Sequence, residues 1–577
     1  MNEAATVEAV VVGSGFGGGV AACRLGKRWP GGQVWVLERG KRYPLGSFPR
    51  SPHAFSQNFW NLPEERRKRP DRMQDVERHG LFDVRNFKSM DAVLAAGVGG
   101  GSLIYANVFL EPPDHVFDDR WPAGVKKADL LPYYKIAREV LGSRPIPSSA
   151  GDPRRRVLHT ELFQSVAKEL GRESQLVDIN VFFGNDYEKP LAIGEQARNR
   201  YGALQTSCTY CGECDVGCNT QSKNTIDLNY LYRAEHEYGA RVLTEHLVRG
   251  IVPIDAEGRD DPNADGRHGY RVHFTDLAGG ARREGEVIAR RVVLGAGTLG
   301  STELLLQGRK SGALARVSER VGQQFSGNGD FLSFVLAGDA AADPNYGPVI
   351  TQRTDFNLFR DFDPQRAFIL EDASYPSFAA WFVEGAQPRL GWLGPVWHAT
   401  RNLAWQLLHG RSAGRTGRAF ADLIGGADRS YRTSVLLCMG LDRSNGVLFL
   451  GADGRVDADW PRKDSQPLYD AILEAGRRFA EVVKSKHFIP LPTWDWPFRR
   501  NVTVHSLGGC VLGDGPERGV TSADPRTFGQ VFGYPGLYVS DGALAPTAVG
   551  ANPTATITAL AERVAQGITG LTPTADL

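Results

Sequence analysis

The feature that most constrains this chain is a glycine run set between an apolar segment and a helical one. Residues 7–12 (VEAVVV) have the composition of a short buried strand. Gly13-Ser14-Gly15-Phe16-Gly17-Gly18-Gly19 follows directly, and Val20 to Trp29 then reads as a helix that Pro30-Gly31-Gly32 stops. Residues 33–37 (QVWVL) read as a second strand, which closes a βαβ unit. Within it Gly13, Gly15 and Gly18 form GxGxxG, and Glu38 stands at the end of the second strand. In a dinucleotide site the first glycine permits the tight turn. The second lets the backbone approach a pyrophosphate, and the third lets the helix pack close. The helix N-terminus offers N–H groups and a positive dipole end, and the acid accepts hydrogen bonds from a ribose. GxGxxG alone is also compatible with a plain glycine turn; the strand, helix and acid in register weigh against that. The unit does not by itself separate FAD from NAD.

Composition excludes some partners. The 577 residues carry 67 basic and 66 acidic side chains, so no net field favours nucleic acid or an anionic membrane. With 42% hydrophobic and 23% charged residues the profile is that of an ordinary globular protein, long enough for one composite enzyme or several domains. The start, MNEAATVEAVVVGSG, lacks the basic n-region of a signal peptide. No stretch reads as a membrane span. Cytoplasmic residence is the default expectation, and there the seven cysteines stay reduced unless a metal takes them.

Along the chain, the charged stretch 61–80 reads as a surface excursion and 255–268 as a solvated loop between strands. Residues 311–500 mix turn signals with strand-like runs such as Val435–Leu437 and Val447–Leu450, the pattern of a sheet-based substrate domain. Gly536–Ile568 returns to a strand, a glycine loop and a helix, so both ends of the chain are expected to meet around one ligand. Residues 392–409 carry Val396, Ala399, Leu403 and Leu407 at helical spacing, widened by Trp397, Ala404 and Leu408 and flanked by Arg401 and Arg411. They read as a core helix, or as a lid or peripheral membrane helix admitting a greasy substrate. Trp494–Phe498 (WDWPF) could line an apolar pocket.

Cys208, Cys211, Cys214 and Cys218 have the C-x2-C-x2-C-x3-C spacing of bacterial ferredoxins, although Asn219 and not proline follows. Three readings stay open: an iron–sulfur cluster of the [4Fe-4S] or [3Fe-4S] type, a zinc site, or unligated thiols in a turn-rich loop.

Four further stretches point to a family. They are Gly97-Val98-Gly99-Gly100-Gly101-Ser102, residues 294–304 (LGAGTLGSTEL), residues 505–510 (HSLGGC) and residues 538–558 (YVSDGALAPTAVGANPTATIT). In kind, order and spacing they resemble the glucose–methanol–choline (GMC) oxidoreductases, and most closely the cholesterol-oxidase branch. The resemblance covers nearly the whole chain. It implies FAD, held in a Rossmann-like α/β domain with an inserted α+β substrate domain built on a mainly antiparallel sheet. The FAD-binding part is expected at 1–50, 88–110, 205–310 and 500–577, and the substrate or cap part at 51–87, 111–204 and 311–499. Beyond Gly13, Gly15, Phe16, Gly18 and Glu38, the family places FAD against Gly97, Gly100, Gly101, Ser102 and Asn107. It further implies the Val248 backbone at the adenine, Gly295, Ala296 and Gly297, Asp541 and Gly542, and Asn552 with Pro553.

The implied activity is oxidation of a CH–OH group by hydride transfer to flavin N5. The expected substrate is a sterol or another bulky hydrophobic alcohol, with oxygen or an external electron acceptor taking the electrons onward. His505 and Asn552 match the hydroxyl-orienting pair, and a histidine can exchange a proton with the substrate oxygen near neutral pH. Glu371, in Phe368–Pro376 (FILEDASYP), resembles the branch's catalytic glutamate, with Asp372 and Glu384 as rivals. A carboxylate in an apolar pocket can shuttle a proton between substrate carbons. The cysteine motif departs from ordinary cholesterol oxidase, though some other GMC alcohol oxidoreductases look similar there. It keeps a second reading open, a sugar, polyol or long-chain alcohol dehydrogenase passing electrons through an iron–sulfur cluster. A flavin electron-transfer module would need neither His505 nor Asn552, and the C-terminal flavin segment argues against an NAD enzyme.

Overall fold

Strand Ala5–Val12 lies at the heart of a seven-stranded sheet because its valines are apolar on both faces and become buried from Ala9 onward. On one side it pairs in parallel with Val34–Leu37, and that strand with Arg241–Leu243. On the other side it pairs in parallel with the long strand Arg283–Leu294. The N-terminal part of that strand carries an antiparallel extension, Tyr270–Asp276 and then His246–Pro253. Its last three residues pair with Leu537–Val539, which inserts the C-terminal segment into the same sheet. The computed structural model describes residues 5–62, 77–380, 383, 428–491, 493–494 and 500–577. The apolar stripe at 392–409, Glu384, residues 495–498 of the aromatic run and most of the charged stretch 61–80 lie outside the described residues.

The first helix is Phe16–Arg28, so it begins four residues before the expected start at Val20. Gly17, Gly18 and Gly19 are poor helix formers by propensity, but packing overrides that preference. A β-carbon on Gly17 would lie 1.9 Å from the Ser540 carbonyl oxygen, and one on Gly19 would lie 2.1 Å from the Ile226 side chain. Helix Thr554–Thr569 packs against this first helix. The Arg24 guanidinium binds the Glu562 carboxylate through two bonds of 2.8 and 2.7 Å, with Arg24 7% and Glu562 0% exposed in their side chains. The Tyr230 hydroxyl donates to the same carboxylate at 2.6 Å. The two ends of the chain therefore meet, as the repeated strand–glycine–helix pattern led us to expect.

A second sheet has six strands, in the order His487–Pro490, Phe331–Leu336, Ser434–Gly440, Phe368–Ala373, Gln352–Phe356 and Ser174–Leu176. All of its pairings are antiparallel. Helix Gln466–Val482 buries its apolar face against it, and Val447–Leu450 forms a separate hairpin with Val456–Asp459. A separate three-stranded sheet pairs Asn501–Thr503 in parallel with Met90–Ala95, which pairs antiparallel with Phe82–Asn86. That pairing runs the chain leading into His505 alongside the strand that leads into the glycine loop. Among the described residues, no helix is long and apolar enough to cross a membrane.

Candidate active site

The glycine run closes as a cradle. Gly13 has φ +89°, and a β-carbon there would lie 2.5 Å from the Gly295 carbonyl oxygen, so the turns at 13 and 295 abut. Gly15 differs, because its β-carbon would meet nothing in the protein nearer than 3.8 Å, at Gly100. Of the three fingerprint glycines it is the one that faces open space. Glu38 is buried and accepts from the Ser14 amide and hydroxyl at 3.1 and 2.6 Å and from the Gly40 amide at 2.8 Å. Burial raises its carboxyl above the usual range. The strand carrying Val248 starts against Glu38, since the His246 amide donates to the Glu38 carbonyl at 2.9 Å. Loop 97–103 closes the cradle from the other side. The Gly99 amide donates to the Ser14 hydroxyl at 3.1 Å, and the ring of Phe16 sits edge-on to Tyr105 at 5.4 Å. Ser102 fixes this loop by donating to the Gly99 carbonyl at 2.7 Å and accepting from the Ile226 amide.

The C-terminal segment is stitched to the same place. Ser301, in helix Gly297–Ser311, donates to the Asp541 carboxylate, whose other oxygen takes the Ala543 amide at 2.9 Å. Burial pushes the Asp541 carboxyl up to about 6. The Gly508 and Cys510 amides bond the carbonyls of Gly542 and Ala543, which locks the HSLGGC segment onto the aspartate loop. Asn552 and Pro553 sit directly before helix Thr554–Thr569.

Several buried polar atoms in this region lack a hydrogen-bond partner among the described residues. They are both amide atoms of Asn107, the Ser540 hydroxyl, Asn552 Oδ1 and Glu371 Oε1. Orphaned polar atoms are costly when buried, so their clustering around the cradle fits a polar ligand placed against them.

Glu371 and Asp372 are neighbours in a strand whose six residues are all buried, so their side chains point to opposite faces. Asp372 is saturated. It accepts from the Thr351 amide and hydroxyl at 2.8 and 2.6 Å and from the Gln352 amide at 2.7 Å, and lies 2.8 Å from His159 Nδ1. Glu371 faces the other way, and Asn552 Nδ2 donates to its Oε2 at 3.3 Å. Burial pushes its carboxyl up to about 8. Of the two described acids, Glu371 is thus the one with an open oxygen beside the expected hydroxyl-orienting residue.

His505 is held by a residue that sequence reasoning missed. Its Nδ1 lies 2.7 Å from Asp330 Oδ1, while Asp330 Oδ2 accepts from the Val504 and His505 amides and the Thr503 hydroxyl. Two residues earlier, Asn328 accepts from the Val549 and Gly550 amides and donates to the Ala551 carbonyl. One turn, Ser326–Asp330, therefore fixes both the histidine and the backbone leading into Asn552. The motif SGNGD was its only trace in the sequence.

The four motif cysteines are free and line one cavity with Lys223. Burial raises the Cys208 and Cys214 thiols and pushes Lys223 down to about 8. Among the described residues, no three His, Cys, Asp or Glu side chains gather closely enough to hold a single ion.

A glycine-turn dinucleotide cradle joined to a buried Asn552–Glu371 pair, with His505 held by the same turn that fixes the backbone leading into Asn552, suits an oxidoreductase that works on its substrate beside a bound redox cofactor. The chain belongs to the GMC oxidoreductase family: residues 10–327 match the family's N-terminal part and 455–561 its C-terminal part. Cholesterol oxidases of Acinetobacter baumannii and Mycobacterium tuberculosis are 29% and 30% identical, over 96% and 97% of this chain and 93% and 90% of theirs. The long-chain-alcohol oxidase FAO4B of Arabidopsis thaliana is 26% identical over 95% of this chain and 65% of its own length. In fold, the chain is similar to pyridoxine 4-oxidase from Mesorbium loti, with a TM-score of 0.56 at 16% identity, covering 97% of this chain and 98% of that one. The protein is an FAD-dependent alcohol oxidase or dehydrogenase, and its electrons pass to oxygen or another acceptor.

Proposed function

We propose that the chain oxidises the hydroxyl of a bulky, apolar alcohol of the sterol class. The observation that carries this is the placement of Glu371. A carboxyl is buried on an apolar strand, hydrogen-bonded to Asn552 and left with one oxygen free. Simple alcohol oxidation needs a group to hold the hydroxyl and one to take its proton. A third group with a raised pKa suits a further proton transfer on the product, such as moving a proton between carbons beside a new carbonyl. The cholesterol oxidases among the relatives, which match nearly end to end, support the same substrate class.

In this reading Asp330 fixes the His505 tautomer with its proton on Nδ1, so that Nε2 is free to accept the hydroxyl proton. Asn552 orients the oxygen through its amide. Glu371 takes a proton from one substrate carbon at Oε1 and returns it to another. FAD, when bound, supplies the hydride acceptor. The residues proposed to hold it are Gly13, Gly15, Phe16, Gly18 and Glu38, the 97–102 loop with Asn107, and Val248. They are joined by Gly295–Gly297, Asp541, Gly542, Asn552 and Pro553.

The test is flavin bleaching under anaerobic conditions with sterols, long-chain alcohols and sugars in parallel. Sterol should bleach the flavin fastest. In His505→Ala and Asn552→Ala, turnover should fall roughly 10²–10⁴-fold while FAD is retained. Faster bleaching by a sugar or polyol, or near-normal turnover in both variants, would overturn this reading.

A further inference from the structure

Alcohol oxidation makes no use of the four cysteines that the fold gathers at one cavity. Cys208, Cys211, Cys214 and Cys218 all line it, with Lys223 in its wall. Their loop is rigidly braced. Arg50 pairs with Glu213 at 2.5 Å and donates to the carbonyls of Val216 and Gly217, and a β-carbon on Gly217 would strike the Phe48 ring at 2.1 Å. Tyr210, Gly212 and Gly217 turn the chain through the left-handed region, at φ 58°, 70° and 94°.

That winding aims backbone amides at sulfur. The Tyr210 amide donates to Cys208 Sγ at 3.4 Å and the Ser222 amide to Cys218 Sγ at 3.2 Å. Two of the four sulfurs thus receive an N–H, an arrangement that favours thiolate ligands and tunes a metal they bind. Lys223 adds a fixed cation. Its ammonium is buried and donates to the carbonyls of Leu103, Tyr105 and Cys214 at 2.8, 3.0 and 2.6 Å, which offsets part of the charge of four thiolates.

The ferredoxin-like spacing of the four cysteines along the chain favours a polynuclear cluster over a single ion. A single tetrahedral ion draws four sulfurs to about 2.3 Å from one point. These share a cavity without closing on a point, whereas a polynuclear cluster spreads its ligands because each thiolate binds its own iron. We propose that Cys208, Cys211, Cys214 and Cys218 hold an iron–sulfur cluster as four thiolates. Transfer of a preassembled cluster from a thiolate-ligated scaffold breaks four scaffold sulfur–iron bonds and four cysteine S–H bonds and forms four iron–cysteine bonds, the four protons going to the departing thiolates, with no change in electron count.

The holoenzyme, produced with iron supplied and purified without oxygen, should contain iron and acid-labile sulfide in near-equal amounts alongside FAD, and no stoichiometric zinc. Cys211→Ser with Cys214→Ser should lower iron and sulfide together by roughly tenfold or more while FAD stays bound. Retained FAD shows that the variant is folded. If that pair does not fold, Cys211→Ser alone, at the exposed member of the set, should give the same loss. Wild-type protein free of iron and sulfide, zinc in their place, or iron that survives the substitutions would overturn the proposal. The readout is metal and sulfide, so the result stands whether or not the substrate is a sterol.

Discussion

Asp330 Oδ1 lies 2.7 Å from His505 Nδ1, although 175 residues separate the two in sequence. A buried carboxylate there fixes which ring nitrogen carries the proton. Asp330→Asn should leave FAD content unchanged and lower kcat roughly 10²-fold or more, within the range for losing a positioned acid–base group. The pH profile is the discriminating readout. A role in holding the tautomer should shift the acidic limb, with partial recovery in Asp330→Glu, whereas an unchanged profile would reduce Asp330 to a structural brace.

The raised carboxyl of Glu371 makes a prediction about stability. Its ordinary value is 4.5 and its folded value is about 8, so between these the folded state holds a proton that the unfolded state has released. Stability contributed by the neutral carboxyl is fully present below 4.5 and is lost as pH rises towards 8. Glu371→Gln cannot ionise. Its melting temperature should gain on the wild type as pH goes from 5 to 8, by an amount worth on the order of a few kcal/mol. A gap that stays constant with pH would refute the ionisation.

Two glycines of the same run should behave oppositely. Gly15→Ala places a methyl where no protein atom is nearer than 3.8 Å. It should fold with a near-normal melting temperature as apoprotein yet bind FAD more weakly. Gly17→Ala drives a methyl against the Ser540 carbonyl and should destabilise the fold itself. Thermal melts with and without added FAD separate the two outcomes.

Arg24 and Glu562 join the first and last long helices in a buried pair. Removing one partner leaves an uncompensated charge, so Arg24→Leu should cost about 3–5 kcal/mol in denaturant unfolding. Replacing both with apolar residues should cost much less. Equal losses in the single and double variants would contradict this account.

Much of the cradle was legible because local physics dictates it. A valine strand, glycines at fixed offsets and Glu38 at the next strand end are all contained within one short segment. The helix start at Phe16 is not legible in the sequence, because the glycine run looks unhelical without its contacts to Ser540 and Ile226. Strand alternation separates Glu371 from Asp372 but does not say which faces Asn552; that depends on Thr351, Gln352 and His159 claiming Asp372. Asp330 and Asn328 stayed hidden for the same reason. Their partners at 503–505 and 549–551 lie far along the chain, and a Gly-Asn-Gly-Asp turn looks like any surface turn until the fold closes over it.

The insertion of Leu537–Val539 beside Val292–Leu294 has a bearing on how the protein is made. While residues 537–569 are still inside the ribosome, the edge of the Arg283–Leu294 strand and one flank of the first helix have no cover. Domains emerging N-terminal first fold as their parts become available. Here the nascent chain must wait for helix Thr554–Thr569 before the cradle can close, so cofactor capture should follow the emergence of residue 569, and the growing polypeptide should be a natural client for chaperones until then.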